Sequence, residues 1–238
     1  MAPRILVPQN PLNSAEIMRE LVPPGFDVVL TRAGSAEWND ALRDTEYLVG
    51  LGEVKMDDAF YKLAPRLKLV QLLSAGYDRI DIEAARRAGI PVCNNGGANS
   101  AAVAEHALML MLAVSRRLVW QHSMVVSGRW RGNDVANVRL YELHGRTLGI
   151  IGLGTIGKKV ARLARAFGLH VQYYDIMRLT EDQADALGIH FRLLNELLRT
   201  SDLVSLHVPL TPLTRHMIGT RELKLMKPTA YLINTCRG

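Results

Sequence analysis

Thr147-Leu148-Gly149-Ile150-Ile151 runs directly into Gly152-Leu153-Gly154-Thr155-Ile156-Gly157, and the helix-forming stretch Lys158 to Phe167 follows. The apolar run reads as a buried strand, the glycines as a turn, and Gly168 as the stop of the helix. A second strand, Val171 to Tyr174, ends at Asp175, 18 positions beyond the last glycine. Three glycines at this spacing are weak evidence alone. Strand before, helix after and acid beyond make a dinucleotide-binding unit. Gly152 allows the tight turn, Gly154 keeps side chains off a pyrophosphate, and Gly157 lets the helix pack on the strand. The helix N-terminus then offers unpaired N–H groups and a positive dipole end to phosphate. Asp175 suits the two hydroxyls of an adenosine ribose and repels a 2′-phosphate, which favours NAD over NADP. Arg178, three residues on, works against that preference.

Outward from this unit, Leu203 to Val208 reads as a strand stopped by Pro209, and Tyr231 to Asn234 as a closing strand. Leu193 to Leu198 and Arg221 to Met226 are the clearest helical parts between them. The first half alternates short apolar runs with helical stretches. Its strands are Arg4 to Val7, Asp27 to Leu30, Tyr47 to Gly50, Leu67 to Leu73 and Ile90 to Asn94. Ser14 is placed to cap a helix that Pro23-Pro24-Gly25 ends. Parallel strands need long crossovers, so this pattern predicts an α/β fold. Ala101 to Leu118 is apolar nearly all round and is expected to be buried between layers or domains. Residues 128–145, with Trp130 and Arg131, read as loop and linker. The expected organisation is residues 1–100, a helix over 101–120, and a dinucleotide domain over 121–238.

Hydrophobic residues make up 48% and charged residues 22%, ordinary values for a globular chain. No apolar run approaches the roughly 20 residues needed to span a bilayer, and Met1-Ala2-Pro3-Arg4 lacks the features of a signal peptide. Two cysteines, Cys93 and Cys236, make no disulfide framework, which predicts a cytoplasmic protein. The net charge of +6 is carried by the second half. A basic half suits an anionic ligand; no nucleic-acid-binding signature accompanies it.

The chain resembles the D-isomer-specific 2-hydroxyacid dehydrogenase family, which includes phosphoglycerate dehydrogenase and glyoxylate or hydroxypyruvate reductases. The resemblance rests on five ordered stretches: Ser74 to Asp81, Asn99 with Val103 to His106, Gly149 to Gly157, Asp202 to Thr211, and Asn234 to Gly238. It implies a flavodoxin-like substrate domain followed by a Rossmann dinucleotide-binding domain, assembled as a homodimer. It also implies hydride transfer between NAD and C2 of a small 2-hydroxy or 2-keto acid.

By the resemblance, Arg237 is the catalytic cation that grips the substrate carboxylate, a task suited to a planar guanidinium. Ser74, Ala75 and Gly76, with Gly50 and Leu51, would hold the carboxylate's other side. The cofactor would lie against Gly152, Gly154, Thr155, Ile156, Gly157 and Asp175 on one side. On the other it would meet His207, Val208, Pro209, Thr214, Thr235, Cys236 and Arg237. The family's proton-transferring glutamate and histidine lie beyond its Asn-Thr-x-Arg-Gly motif, where this sequence stops, so a longer enzyme is the expectation. None of the seven histidines is assigned that role, and no metal site is expected. The alternative is an NAD(H)-binding sensor, assembly or corepressor protein without turnover. Cys236 reads as a small residue packed beside the cofactor, or as a thiol whose oxidation would block nicotinamide binding.

Overall fold

The computed structural model describes residues 2–9, 18, 20–50, 54–129 and 138–237. The chain divides into two compact units, residues 1–98 and 99–238. The Ser14 cap, Leu51, Gly238 and the loop residues Trp130 and Arg131 lie outside the described residues.

In the first unit, β1 (Arg4–Pro8), β2 (Asp27–Thr31), β3 (Thr45–Gly50), β4 (Leu69–Leu72) and β5 (Val92–Cys93) form one parallel sheet in the order β2-β1-β3-β4-β5. That is the flavodoxin-like strand order. Because strand residues alternate faces, Ile5 and Val7 pack with Met18 on one side while Leu6 joins Leu48, Val70 and Leu72 on the other. Helices α1 (Ala36–Leu42), α2 (Asp58–Leu63) and α3 (Ile82–Ala88) begin at Ser35, Asp57 and Asp81, whose side chains accept from first-turn N–H groups.

The second unit holds α4 (Ser100–Ser115), α5 (Leu118–Val126), β6 (Thr147–Ile151), α6 (Thr155–Ala166), β7 (His170–Tyr174), α7 (Glu181–Leu187), β8 (Ile189–Phe191), α8 (Leu194–Thr200), β9 (Leu203–Leu206), α9 (Thr220–Leu225) and β10 (Tyr231–Asn234). Its five parallel strands run β10-β9-β6-β7-β8. Counted within the unit this is 5-4-1-2-3, the Rossmann order read from its other edge. The order reverses at β6, so β6 and the strands beside it deliver their C-terminal ends to one crevice. Gly149 in β6 is required by packing: a Cβ there would run into Ser201 and Leu197 of the α8 region.

The structure departs from the sequence reading in four places. The apolar stretch read as one helix to Leu118 ends at Ser115. Arg117 takes left-handed geometry (φ 50°), and α5 starts anew. Nor is α4 buried all round. Ala104, Ala107, Leu108 and Met111 face the core, while Met109 is 49% exposed. Strand β8 was absent from the reading, since Ile189-His190-Phe191 is too short to show a period. The strand ends also retract: β9 stops at Leu206, which leaves His207 and Val208 in the loop beyond it.

Candidate functional site

At the C-terminal end of β6 the chain turns through Gly152, held at φ +93°. A Cβ at Gly152 would stand 2.7 Å from the carbonyl of His207. Gly152 N–H donates to Tyr174 O at 2.9 Å, which fixes the turn to β7. A Cβ on Gly157 would overlap the carbonyl oxygen of Gly152, so that glycine sets how closely α6 meets the turn. Gly154 is different. A Cβ there would meet nothing within 4 Å. Packing within the chain therefore does not call for a glycine at Gly154. Gly154 also caps α6 with no side-chain acceptor, so the first N–H groups of a 12-residue helix are left to an incoming anion.

Asp175 sits just past β7. Its Oδ2 accepts from Leu153 N at 2.6 Å and its Oδ1 from Met177 N at 2.8 Å. One carboxylate therefore ties the glycine loop to the β7 turn, and each oxygen keeps a lone pair for a ribose hydroxyl. Ile176 and Met177 beside it are 84% and 77% exposed, an apolar rim next to this acid.

The C-terminal ends of β9 and β10 carry the other candidates. Ser205 Oγ and His207 Nε2 are 2.9 Å apart, while His207 Nδ1 and Thr235 Oγ1 are buried without hydrogen-bond partners among the described residues. Burial depresses the His207 pKa to about 4, so its imidazole is neutral near pH 7. Thr214 Oγ1 accepts from Thr211 N at 2.8 Å and donates to Pro209 O at 2.5 Å, which closes the loop after β9.

Arg237 is exposed and presented by a side-chain-braced turn. Asn234 Oδ1 accepts from Cys236 N at 2.9 Å and Asn234 Nδ2 donates to Arg237 O at 2.9 Å. Cys236 Sγ donates to Leu206 O at 2.9 Å. Burial pushes its thiol pKa up, against the opposing pull of the Val208 backbone and Arg237, so the protonated thiol is favoured over a reactive thiolate. Val208, Pro209, Thr214, Asn234, Cys236 and Arg237 line one cavity of about 250 Å³.

Of the candidates in the first unit, Gly50 is a glycine because a Cβ would lie 2.6 Å from the Pro8 ring. Its carbonyl accepts from Leu73 N at 2.9 Å. Beyond β4, the carbonyls of Ser74, Ala75 and Gly76 are all occupied: by Asn95 N at 3.1 Å, Asn94 Nδ2 at 2.7 Å and Ser74 Oγ at 2.8 Å. Among the described residues no group accepts from the three N–H groups. With the carbonyls tied, the N–H groups of this turn are the candidates for an anion. Asn94, which sequence reasoning passed over, is what orients the turn.

Ser205 was also missed. It is a polar residue inside an apolar strand, two positions before His207 and therefore on the same face, and that spacing is the signal that could have found it. Among the described residues no group of three His, Cys, Asp or Glu side chains is placed to hold a metal, and no helix is long and apolar enough to cross a membrane.

Comparison with known proteins fits this geometry. Residues 108–238 match the sequence model of the D-isomer specific 2-hydroxyacid dehydrogenase, NAD binding domain. Glyoxylate reductase of Thermococcus litoralis is 44% identical over 203 residues, covering 84% of this chain and 61% of that protein. Glyoxylate reductase of Korarchaeum cryptofilum is 38% identical, covering 100% of this chain and 72% of that protein. The chain thus spans about three fifths to seven tenths of these relatives' length. Among solved structures, D-lactate dehydrogenase from Aquifex aeolicus, complexed with NAD and lactic acid, superposes with a TM-score of 0.84. It is 32% identical, covering 99% of this chain and 69% of that one.

Proposed function

Since the chain belongs to the D-isomer specific 2-hydroxyacid dehydrogenase family, with an NAD-binding domain over residues 108–238, we propose that it is an NAD-dependent oxidoreductase of small 2-hydroxy and 2-keto acids. Glyoxylate is the first candidate, because relatives at 44% and 38% identity are glyoxylate reductases. The observation that carries the cofactor side is Gly154, where a Cβ would meet no protein atom within 4 Å, which leaves the surface of the loop open to a pyrophosphate. Thr235 Oγ1 and His207 Nδ1, buried and unpartnered among the described residues, are further groups that a bound dinucleotide would satisfy.

In this reading the glycine loop and the α6 N-terminus hold the pyrophosphate. Thr155 and Ile156 stand at the start of that helix, and Asp175 accepts from the adenosine ribose. His207, Val208, Pro209, Thr214, Thr235 and Cys236 flank the nicotinamide end. The nicotinamide supplies or accepts the hydride at substrate C2. Arg237 grips the substrate carboxylate and polarises the carbonyl, which is positioning and charge stabilisation by one group. In the first unit, Ser74, Ala75 and Gly76, with Gly50, are the residues we propose for carboxylate binding. His207 is not given the proton, because an imidazole with a pKa of about 4 is unprotonated at neutral pH.

A second reading is NAD(H) binding as a sensor, assembly or corepressor protein without turnover. NADH consumption by the native protein against a panel of 2-keto acids separates the two. Turnover of glyoxylate that falls at least 100-fold in Arg237→Ala supports the enzyme reading. Tight NADH binding with no turnover of any acid supports the second.

The partner we propose is a second copy of the chain. Leu118, Val119, Val125 and Val126 on and around α5 are 55%, 79%, 53% and 73% exposed, an apolar ridge that a homodimer would cover. A monomer in sedimentation at micromolar concentration would remove this proposal. Two free cysteines, one exposed, suit the cytoplasm.

A further inference from the structure

Arg178 lies three residues past Asp175, where a cation could grip a 2′-phosphate and undo the preference for NAD. The structure shows what it does instead. The Arg178 guanidinium carbon lies 4.8 Å from the centre of the Phe191 ring, over its face. Phe191 belongs to β8, the neighbouring edge strand, and is itself held by Tyr173 in an edge-on contact (5.6 Å between ring centres) and by Tyr174 (6.4 Å).

The backbone on both sides of Arg178 is pinned. Met177 N donates to Asp175 Oδ1 at 2.8 Å, and Leu179 N donates to Tyr173 Oη at 3.0 Å. Tyr173 is fully buried, so that second anchor is fixed in the core. Thr180 then starts α7 by accepting from Gln183 N. The segment cannot swing as a whole, which leaves the Arg178 side chain to choose its own position. Among the described residues Arg178 has no ion pair with Asp175; its partner is the aromatic face.

We propose that Phe191 is a specificity-positioning residue: its ring retains the Arg178 guanidinium on β8 and so withholds the cation from the 2′ position of a bound adenosine. The inference rests on the reading that this loop holds a dinucleotide. It goes beyond it by assigning the exclusion of 2′-phosphorylated cofactor to two elements, Asp175 by repulsion and Phe191 by sequestering the only nearby cation on this loop. A guanidinium over a ring at an exposed site contributes about 0.5–1 kcal/mol, which corresponds to a two- to fivefold bias in where the side chain resides.

The test measures dissociation constants of NADH and NADPH by fluorescence titration on the full chain. It uses an Asp175→Ser background, so that NADPH binds measurably. Adding Phe191→Leu should tighten NADPH about threefold and leave NADH unchanged. Phe191→Tyr, which keeps the aromatic face, should behave as the background. Arg178→Gln should erase the gain when combined with Phe191→Leu. Alone, on its exposed position, it should change NADPH affinity by less than twofold, because the cation is already withheld.

The proposal is overturned if Phe191→Leu shifts both cofactors equally or neither, if its gain survives Arg178→Gln, or if Arg178→Gln alone weakens NADPH severalfold. The last outcome would mean that Arg178 reaches the phosphate despite Phe191, and it needs no core substitution. Wild-type protein that binds neither dinucleotide would bring down the cofactor reading itself, and this inference with it.

Discussion

Where strands β6, β9 and β10 begin, Asp202 accepts from Thr147 N at 2.9 Å and from Lys227 Nζ at 2.8 Å, and its own carbonyl accepts from Tyr231 N at 3.1 Å. Where the same strands end, Thr235 Oγ1 and His207 Nδ1 are buried with no partner among the described residues. The first sheet repeats the contrast. At its N-terminal ends Arg4 pairs with Asp27 at 2.8 Å, and Glu46 takes both Lys68 at 2.6 Å and Arg66 at 3.0 Å. At its C-terminal ends the N–H groups of Ser74 to Gly76 have no acceptor among the described residues. A buried polar group costs stability unless it is paired. Among the described residues, one end of each sheet has its polar groups paired, and the other carries polar groups for which no partner is seen.

The glycines offer the largest effect by which to break this comparison. Gly157→Ala should cost several kcal/mol of stability, on the order of 3, because the new methyl overlaps the Gly152 carbonyl. Gly154→Ala should leave the unfolding midpoint unchanged and weaken NADH binding at least tenfold, because its methyl meets no protein atom. Thermal unfolding and a binding titration on both variants check this. Equal loss of stability in the two would mean that Gly154 is structural after all.

His207 makes the open end sensitive to acid. Its folded pKa of about 4 lies below the ~6.5 of an unfolded histidine. As pH falls the unfolded chain takes the proton first, so stability is whole above ~6.5 and is lost as pH drops toward 4. A shift of this size is linked to roughly 3 kcal/mol. Urea unfolding of wild type and His207→Gln across pH 4–7 should show that part of the slope only in wild type.

The closed end should respond to a different group at lower pH. Burial alone would raise the Asp202 pKa, but hydrogen bonds from Lys227 and Thr147 N, with the charges of Lys227 and Arg146, bring it below the usual carboxylate value. Its contribution is therefore present above the ordinary carboxylate range and disappears as pH falls through the lowered value. Asp202→Asn should cost about 1–2 kcal/mol at pH 7 and leave NADH affinity within twofold. A loss of NADH binding without loss of stability would mean that this end, too, belongs to the site.

How much of this contrast could be read in the sequence depends on range. Gly152, Gly154, Gly157 and Asp175 were legible because local spacing carries their roles, and the α/β class followed from the alternation of short apolar runs. The break at Arg117 was not legible, because the apolar pattern continues through it and only backbone geometry shows the left-handed residue. Arg178 on Phe191, Asn94 on Ala75 and Asp202 on Thr147 join residues that are distant in sequence. Propensity and period say nothing about such pairs. They depend on which strand lies next to which, and that is settled by the packing of the whole sheet.

Thr235→Val is the smallest effect and the most direct test of why the open end is open. The two side chains have the same shape, and the change removes a buried hydroxyl that has no partner among the described residues. At the closed end a comparable loss of a polar group should destabilise. Here it should stabilise the cofactor-free protein by about 1 kcal/mol, because an unsatisfied group is replaced by an apolar one. The same variant should bind NADH several times more weakly, if the hydroxyl is held in reserve for the cofactor. Opposite signs in stability and binding are the mark of a group kept unpaired for a ligand; a loss of both would show that Thr235 Oγ1 already has a partner in the free protein.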